Sequence, residues 1–178
     1  LTQANLTGSD FTSANIARAN LSRATSLGFA SAQLYSTSNY ASGDLTAINL
    51  FASDLTGWNF ASQNLSSANF STVDFTGASL SNANLTSANL RSATLTSVNL
   101  TNANLSTANL ASANLASVNL ASVNLTSADL SAANLTRPEL VSKDPRSLQL
   151  LAMLRQEING QPHLGDQEMP SAQPAADI

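Results

Sequence analysis

Residues 83–105 read ANLTSANLRSATLTSVNLTNANL. A leucine stands at every fifth place, at Leu85, Leu90, Leu95, Leu100 and Leu105, usually behind Ala-Asn or Val-Asn. A period of five matches neither the strand period of two nor the helix period of 3.6. Working outward, the pattern runs without a slip from Tyr40 to Leu140. Those 21 centres are 17 Leu, three Phe and one Tyr. Two residues before each centre sits a small residue, such as Ala68, Val73, Ala78 or Ala83, and one before sits Asn or Asp.

A shorter block precedes it, with centres at Leu6, Phe11, Ile16 and Leu21 within residues 1–23. The step from Leu21 to Tyr40 is not a multiple of five, so residues 24–39 read as an insertion, with a short helical turn near Ser31–Ser36. After Leu140 the composition changes. Asp144 suits an N-cap, Pro145 the first helical position and Gly160 a stop, so residues 144–159 read as a C-terminal helix. Leu148, Leu151, Leu154 and Ile158 give that helix one apolar face. Residues 161–178 lack periodicity and read as a flexible tail.

A coil with short straight sides and a corner every five residues makes each fifth side chain equivalent. The centre and the residue two before it share a parity, so both point inward, and the intervening Asn or Asp points outward or into the corner. Four such sides close a square. Sorted by every fourth unit, Leu45, Leu65, Leu85, Leu105 and Leu125 stack in one column and Leu50, Phe70, Leu90, Leu110 and Leu130 in the next. Phe75 and Phe60 belong to the remaining two. Burial contributes about 1.5–3 kcal/mol per Leu, so these columns drive the fold. Five coils at the paired-strand spacing of about 4.8 Å make a rod of about 24 Å, with the first block and insertion adding about one coil. Rod ends invite stacking, so the C-terminal helix is expected to cap one end.

The A(N/D)LXX unit resembles the pentapeptide repeat family over about 120 of the 178 residues. The resemblance implies an all-β fold, a right-handed quadrilateral parallel β-helix. It implies no single activity, because members of that family do different jobs. The stretch from Gly28 to Phe60 is also similar to interruptions in long pentapeptide arrays of exported bacterial proteins.

Composition excludes several function classes. Charged residues are 10%, net charge is −4, and no Lys/Arg cluster exists to attract nucleic acid. Absence of cysteine removes disulfides, zinc-thiolate sites and a thiol nucleophile. No apolar run approaches the roughly 20 residues of a membrane span. The chain starts at Leu1 without a signal-like segment and is expected to be a mature or excised fragment. His163, the one histidine, lies in the tail without a partner for metal or acid–base work. No catalytic, metal or cofactor residues are assigned.

Three outward features remain. The Asn columns, such as Asn64, Asn84, Asn104 and Asn124, are expected to bond along a ladder or to corner backbone groups. The Ser/Thr columns at Thr46, Ser66, Thr86, Ser106 and Thr126 form flat hydroxyl faces of the kind that bind ice. Trp58 occupies a position that elsewhere takes Ala or Val, and with Tyr35 and Tyr40 either packs the insertion or contacts a ligand. The expectation is a non-enzymatic structural or interaction module without cofactor or small-molecule substrate. It would bind protein or itself through the rod ends or the C-terminal helix, in an exported or cell-surface bacterial setting. The alternatives are ice binding and the gyrase-directed DNA mimicry known in the pentapeptide family. Four acids between 40 and 136, Asp44, Asp54, Asp74 and Asp129, are sparse for mimicking a duplex with one charge per about 1.7 Å.

Overall fold

The structure, a computed structural model, describes residues 4–120 and 122–136. The expected C-terminal helix with Leu148, Leu151, Leu154 and Ile158, the centre Leu140 and the tail all lie outside the described residues.

Each five-residue unit closes one side and one corner, and its five N–H groups account for its composition. In the unit from Asn84 to Ala88, Leu85 N–H donates to Asn104 O at 2.7 Å and Ser87 N–H to Ser106 O at 3.0 Å. Asn84 N–H reaches back to Gln63 O at 3.0 Å, and Ala88 N–H closes the corner on Leu85 O at 3.0 Å. The fifth N–H, on Thr86, has no backbone acceptor and donates to Asn84 Oδ1 at 3.1 Å. The same bond recurs from Ser66 to Asn64, Ser106 to Asn104 and Thr76 to Asp74. A short side chain carrying an acceptor two residues upstream is the local remedy for that orphan donor.

The second corner residue has φ near 57°, as at Ser67, Ser87, Thr107 and Ser127, the sign that a type II turn demands there. Corners therefore come too often for a strand to extend. Pairing consists of isolated parallel bridges one coil apart in the chain, such as Asn64 with Asn84 and Asn84 with Asn104. Four such columns of bridges, through Asn64, Asn69, Asp74 and Ser79, make the coil four-sided. The β-helix is thus built without extended strands among the described residues.

Inside, all ten of Leu45, Leu65, Leu85, Leu105, Leu125, Phe60, Phe70, Phe75, Leu90 and Leu110 are buried. Phe70 and Phe75 meet edge-on with centroids 5.0 Å apart, and Phe60 lies 6.1 and 5.8 Å from them.

The N-terminal part departs from the simple count. Leu21 N–H donates to Asn49 O at 2.8 Å, which stacks Leu21 on Leu50. The interval from Leu21 to Leu50 is thus a single turn of the coil that holds more residues than the regular repeat, since a parallel bridge also joins Asn20 to Asn49. The first block makes a coil of its own, 4–23, and residues 24–43 begin a second layer, which the residues around Asn49 and Phe51 complete against Ala19, Leu21 and Arg23, where the spacing suggested one coil for block and insertion together. That layer holds a 3-10 turn, Ala24–Leu27, and two short helices, α1 (Ser31–Tyr35) and α2 (Ser38–Ala41). Gln33 ties α1 to the first coil by donating to Leu6 O and Ser9 O, both at 2.8 Å. Tyr40, which the five-residue count makes a column centre, instead lies in α2. There its ring packs on Tyr35, centroids 4.6 Å apart, and the residue is only half-buried.

Gly28 shows how closely the layer sits on the first coil. Its φ is 86°, and a Cβ there would lie 2.0 Å from Thr7 Oγ1 and 2.9 Å from Thr7 N. Leu6 N–H donates to Leu27 O beside it at 2.6 Å. Gly28→Ala is expected to destabilise this end by about 1–3 kcal/mol through left-handed strain and the clash. Hydrogen exchange should lose protection at Leu6 and keep it at Leu85; unchanged protection at Leu6 would show that the contact is not tight.

Candidate functional site

The walls come first, because they leave little chemistry open. Asn84 Nδ2 donates to Asn64 Oδ1 at 3.2 Å, and Asn124 Nδ2 to Asn104 Oδ1 at 2.9 Å. Their Oδ1 atoms also hold the corner N–H groups, so the Asn columns bond both along the ladder and to the backbone. The hydroxyls are similarly engaged. Thr86 and Thr126 donate to Asn84 and Asn124 Oδ1 at 2.6 and 2.7 Å, and Ser87 and Thr107 Oγ atoms lie 2.8 Å apart.

Aspartates replace Asn at some corners. The carboxyls of Asp10, Asp44, Asp54 and Asp129 are held below their ordinary range chiefly by hydrogen bonds from the residue two further on. For Asp10, Asp44 and Asp54 the hydroxyl of Thr12, Thr46 or Thr56 is the larger cause, and for Asp129 it is the backbone N–H of Ser131. Arg18 adds to the effect at Asp44 and Arg91 at Asp129, whereas no cation contributes at Asp54. No group of three or more His, Cys, Asp or Glu able to hold a metal is found among the described residues.

Coil 44–63 is where the regular interior gives way. Its inner positions carry Ile48, Ser53, Trp58 and Gln63 instead of Ala or Val. Trp58 is half-buried, its ring stacked on Phe60 at 6.2 Å and tilted on Phe29 at 6.0 Å, with Tyr35 edge-on at 6.4 Å. The two tyrosines clasp one residue of this coil. Asn59 N–H donates to Tyr35 Oη at 2.6 Å, and Tyr40 Oη donates to Asn59 O at 3.0 Å. Beside Trp58 an open groove of about 550 Å³ lies between the helical layer and the coil, lined by Thr25, Ser26, Phe29, Ala52, Asp54 and Trp58 among others. Thr25 Oγ1 accepts Asp54 N–H at 2.9 Å and bridges the two walls.

Ser53 Oγ and Gln63 Oε1 are buried here with no hydrogen-bond partner among the described residues. An unpaired buried hydroxyl is a net cost. The column of Ser53 continues as Val73, Ala93 and Ala113, all buried. Ser53→Ala is therefore expected to raise stability by about 1 kcal/mol, read as a higher denaturant midpoint. A lower midpoint would mean that the hydroxyl has a partner.

A pentapeptide repeat region profile matches residues 68–143, and a pentapeptide repeats (8 copies) profile matches 1–25 and 44–82. The chain belongs to the pentapeptide repeat family.

Between the two segments of this pentapeptide repeat protein that match the eight-copy profile lies the helical layer. Among solved structures it is similar to a pentapeptide repeat protein from the cyanobacterium Cyanothece 51142, with 34% identity over 53% of this chain and 57% of that one, TM-score 0.40. It is also similar to HetL of Nostoc sp. strain PCC 7120, a pentapeptide repeat protein involved in heterocyst differentiation regulation, with 26% identity over 75% and 60%, TM-score 0.25. A third is QnrB1, a plasmid-mediated fluoroquinolone resistance protein, with 19% identity over 68% and 70%, TM-score 0.35. The chain thus spans less than two thirds of the first two. No curated protein matches.

The structure brings Trp58, Tyr35 and Tyr40 together, with Trp58 on the groove and both tyrosines bonded to Asn59. Sequence reasoning did not single out Phe29, Thr25 or Asp54 as neighbours of Trp58. Phe29 and Trp58 share one available signal: each is an aromatic that breaks the five-residue pattern. Thr25 carries no such signal. No helix among the described residues is long and apolar enough to cross a membrane.

Proposed function

We propose that this pentapeptide repeat protein is a non-enzymatic interaction module that works by the shape of its rigid faces and ends. The observation that supports this best is the complete filling of its interior. Leu85, Leu90, Leu105, Leu110 and Leu115 are fully buried, so the regular coils are packed with side chains along their axis. Right-handed winding, a cap formed by the 144–159 helix, and an exported or cell-surface setting belong to the same reading. Photo-crosslinking residues placed one per side, at Ser67, Ser92, Ser97 and Asn102, provide the test in the full chain in its cell of origin. Adducts confined to one side are the expected result. Equal, non-saturable labelling from all four would sink it.

DNA mimicry is the second reading, favoured by one observation: Asp54 and Asp74 are bridged on successive coils. That column continues as Thr94, Asn114 and Asn134, so the run of charge stops after two coils. Inhibition of gyrase supercoiling by micromolar protein would make it the better reading. Ice binding is disfavoured by the hydroxyl protons already given to Asn and Asp oxygens; round, unmodified ice crystals are expected.

A further inference from the structure

We propose that the groove beside Trp58 receives an arginine side chain of a partner protein, its guanidinium lying on the indole and donating to the Asp54 carboxylate. This deepens the interaction-module reading and rests on it. The groove is open, whereas small-molecule sites usually enclose most of their ligand; an open groove suits a protruding side chain. Trp58 is held against Phe29 and Phe60, so little side-chain freedom remains to be lost on binding.

Charge selects the occupant. Asp54 is exposed and ionised at neutral pH, and its Oδ1 already accepts Thr56 N–H at 3.0 Å. The same carboxyl also takes the Thr56 hydroxyl, and because a carboxylate offers about four lone-pair sites, room remains for a guanidinium. Arg18 and Arg91 serve Asp44 and Asp129, while the Arg23 guanidinium lies over Phe51, 5.8 Å from its centroid. Asp54 therefore keeps its negative charge without an internal cation among the described residues, and Asp74 adds another one coil along. A planar guanidinium can stack on an indole and fork onto a carboxylate together, which the compact ammonium of lysine cannot.

Trp58 is the single tryptophan, so one indole N–H resonance reports the groove in the full chain. The probes are N-acetylarginine amide, its uncharged citrulline counterpart and N-acetyllysine amide. The arginine compound should shift the Trp58 resonance saturably, the citrulline compound should not, and lysine should bind more weakly. Asp54→Asn should weaken arginine binding about 5-fold. It should leave the corner intact, because Asn is the usual residue at that place in the repeat. No saturable shift, an equal response to citrulline, lysine binding as tightly as arginine, or an unchanged Asp54→Asn affinity would each overturn the assignment. One-sided crosslinking without any arginine response would sink this inference and leave the module reading standing; the reverse pattern would do the opposite.

Discussion

Deleting Ser87 alone should break the rod, whereas deleting the whole unit 85–89 should leave it folded. The unit deletion joins Asn84 to Leu90, so the next residues, Leu90 to Thr94, again read centre, two corner residues, small residue and a polar residue before the following centre. Each coil still closes in four units, and every downstream side finds an equivalent partner. Removing Ser87 takes away the residue with φ 57° that turns the corner. Four residues cannot span both a side and a corner. The bonds from Ser87 N to Ser106 O and from Ala88 N to Leu85 O disappear, and Leu85 and Leu90 cannot both point inward. The expected loss equals that of at least one buried leucine, about 2–5 kcal/mol. Because each coil contacts only its neighbours, the break should also split unfolding into two steps. Denaturant titration followed by circular dichroism checks this. Equal midpoints for the two deletions would mean that the corner is not the element that sets the period.

Phe70→Ala should be the most damaging single substitution among the regular columns. Phe70 is fully buried and meets both Phe60 and Phe75 edge-on. Truncation leaves a cavity between two coils whose corners cannot move inward, because each is fastened by backbone bonds on both sides. Phe→Ala in such a place costs about 3–5 kcal/mol. Phe70→Leu places there the residue that its own column carries at Leu50 and Leu90, and should cost about 1.5 kcal/mol or less. A guanidinium midpoint series over the three proteins measures both. An Ala variant no worse than the Leu variant would show that the aromatic cluster is loosely packed.

Residues alone determined the four-sided coil and its filling. A centre every five places, a small residue two before it and Asn or Asp between are local requirements: one side chain to bury, one close corner to fit, one orphan N–H to satisfy. Each is met within a unit or by the equivalent unit of the next coil, so the text repeats what the backbone repeats. The helical turn expected near Ser31–Ser36 is α1, but only the tertiary structure decided the place of the extra residues between Leu21 and Leu50, the second helix α2 and how the two helices sit on the coils. Their positions depend on Gln33 reaching Leu6 and Ser9, on the approach of Gly28 to Thr7, and on Tyr35 and Tyr40 closing over Asn59. Such contacts join residues 19 to 27 places apart without any period. The groove at Trp58 and Asp54 arises where that aperiodic layer meets the periodic one, which is why no count along the chain locates it.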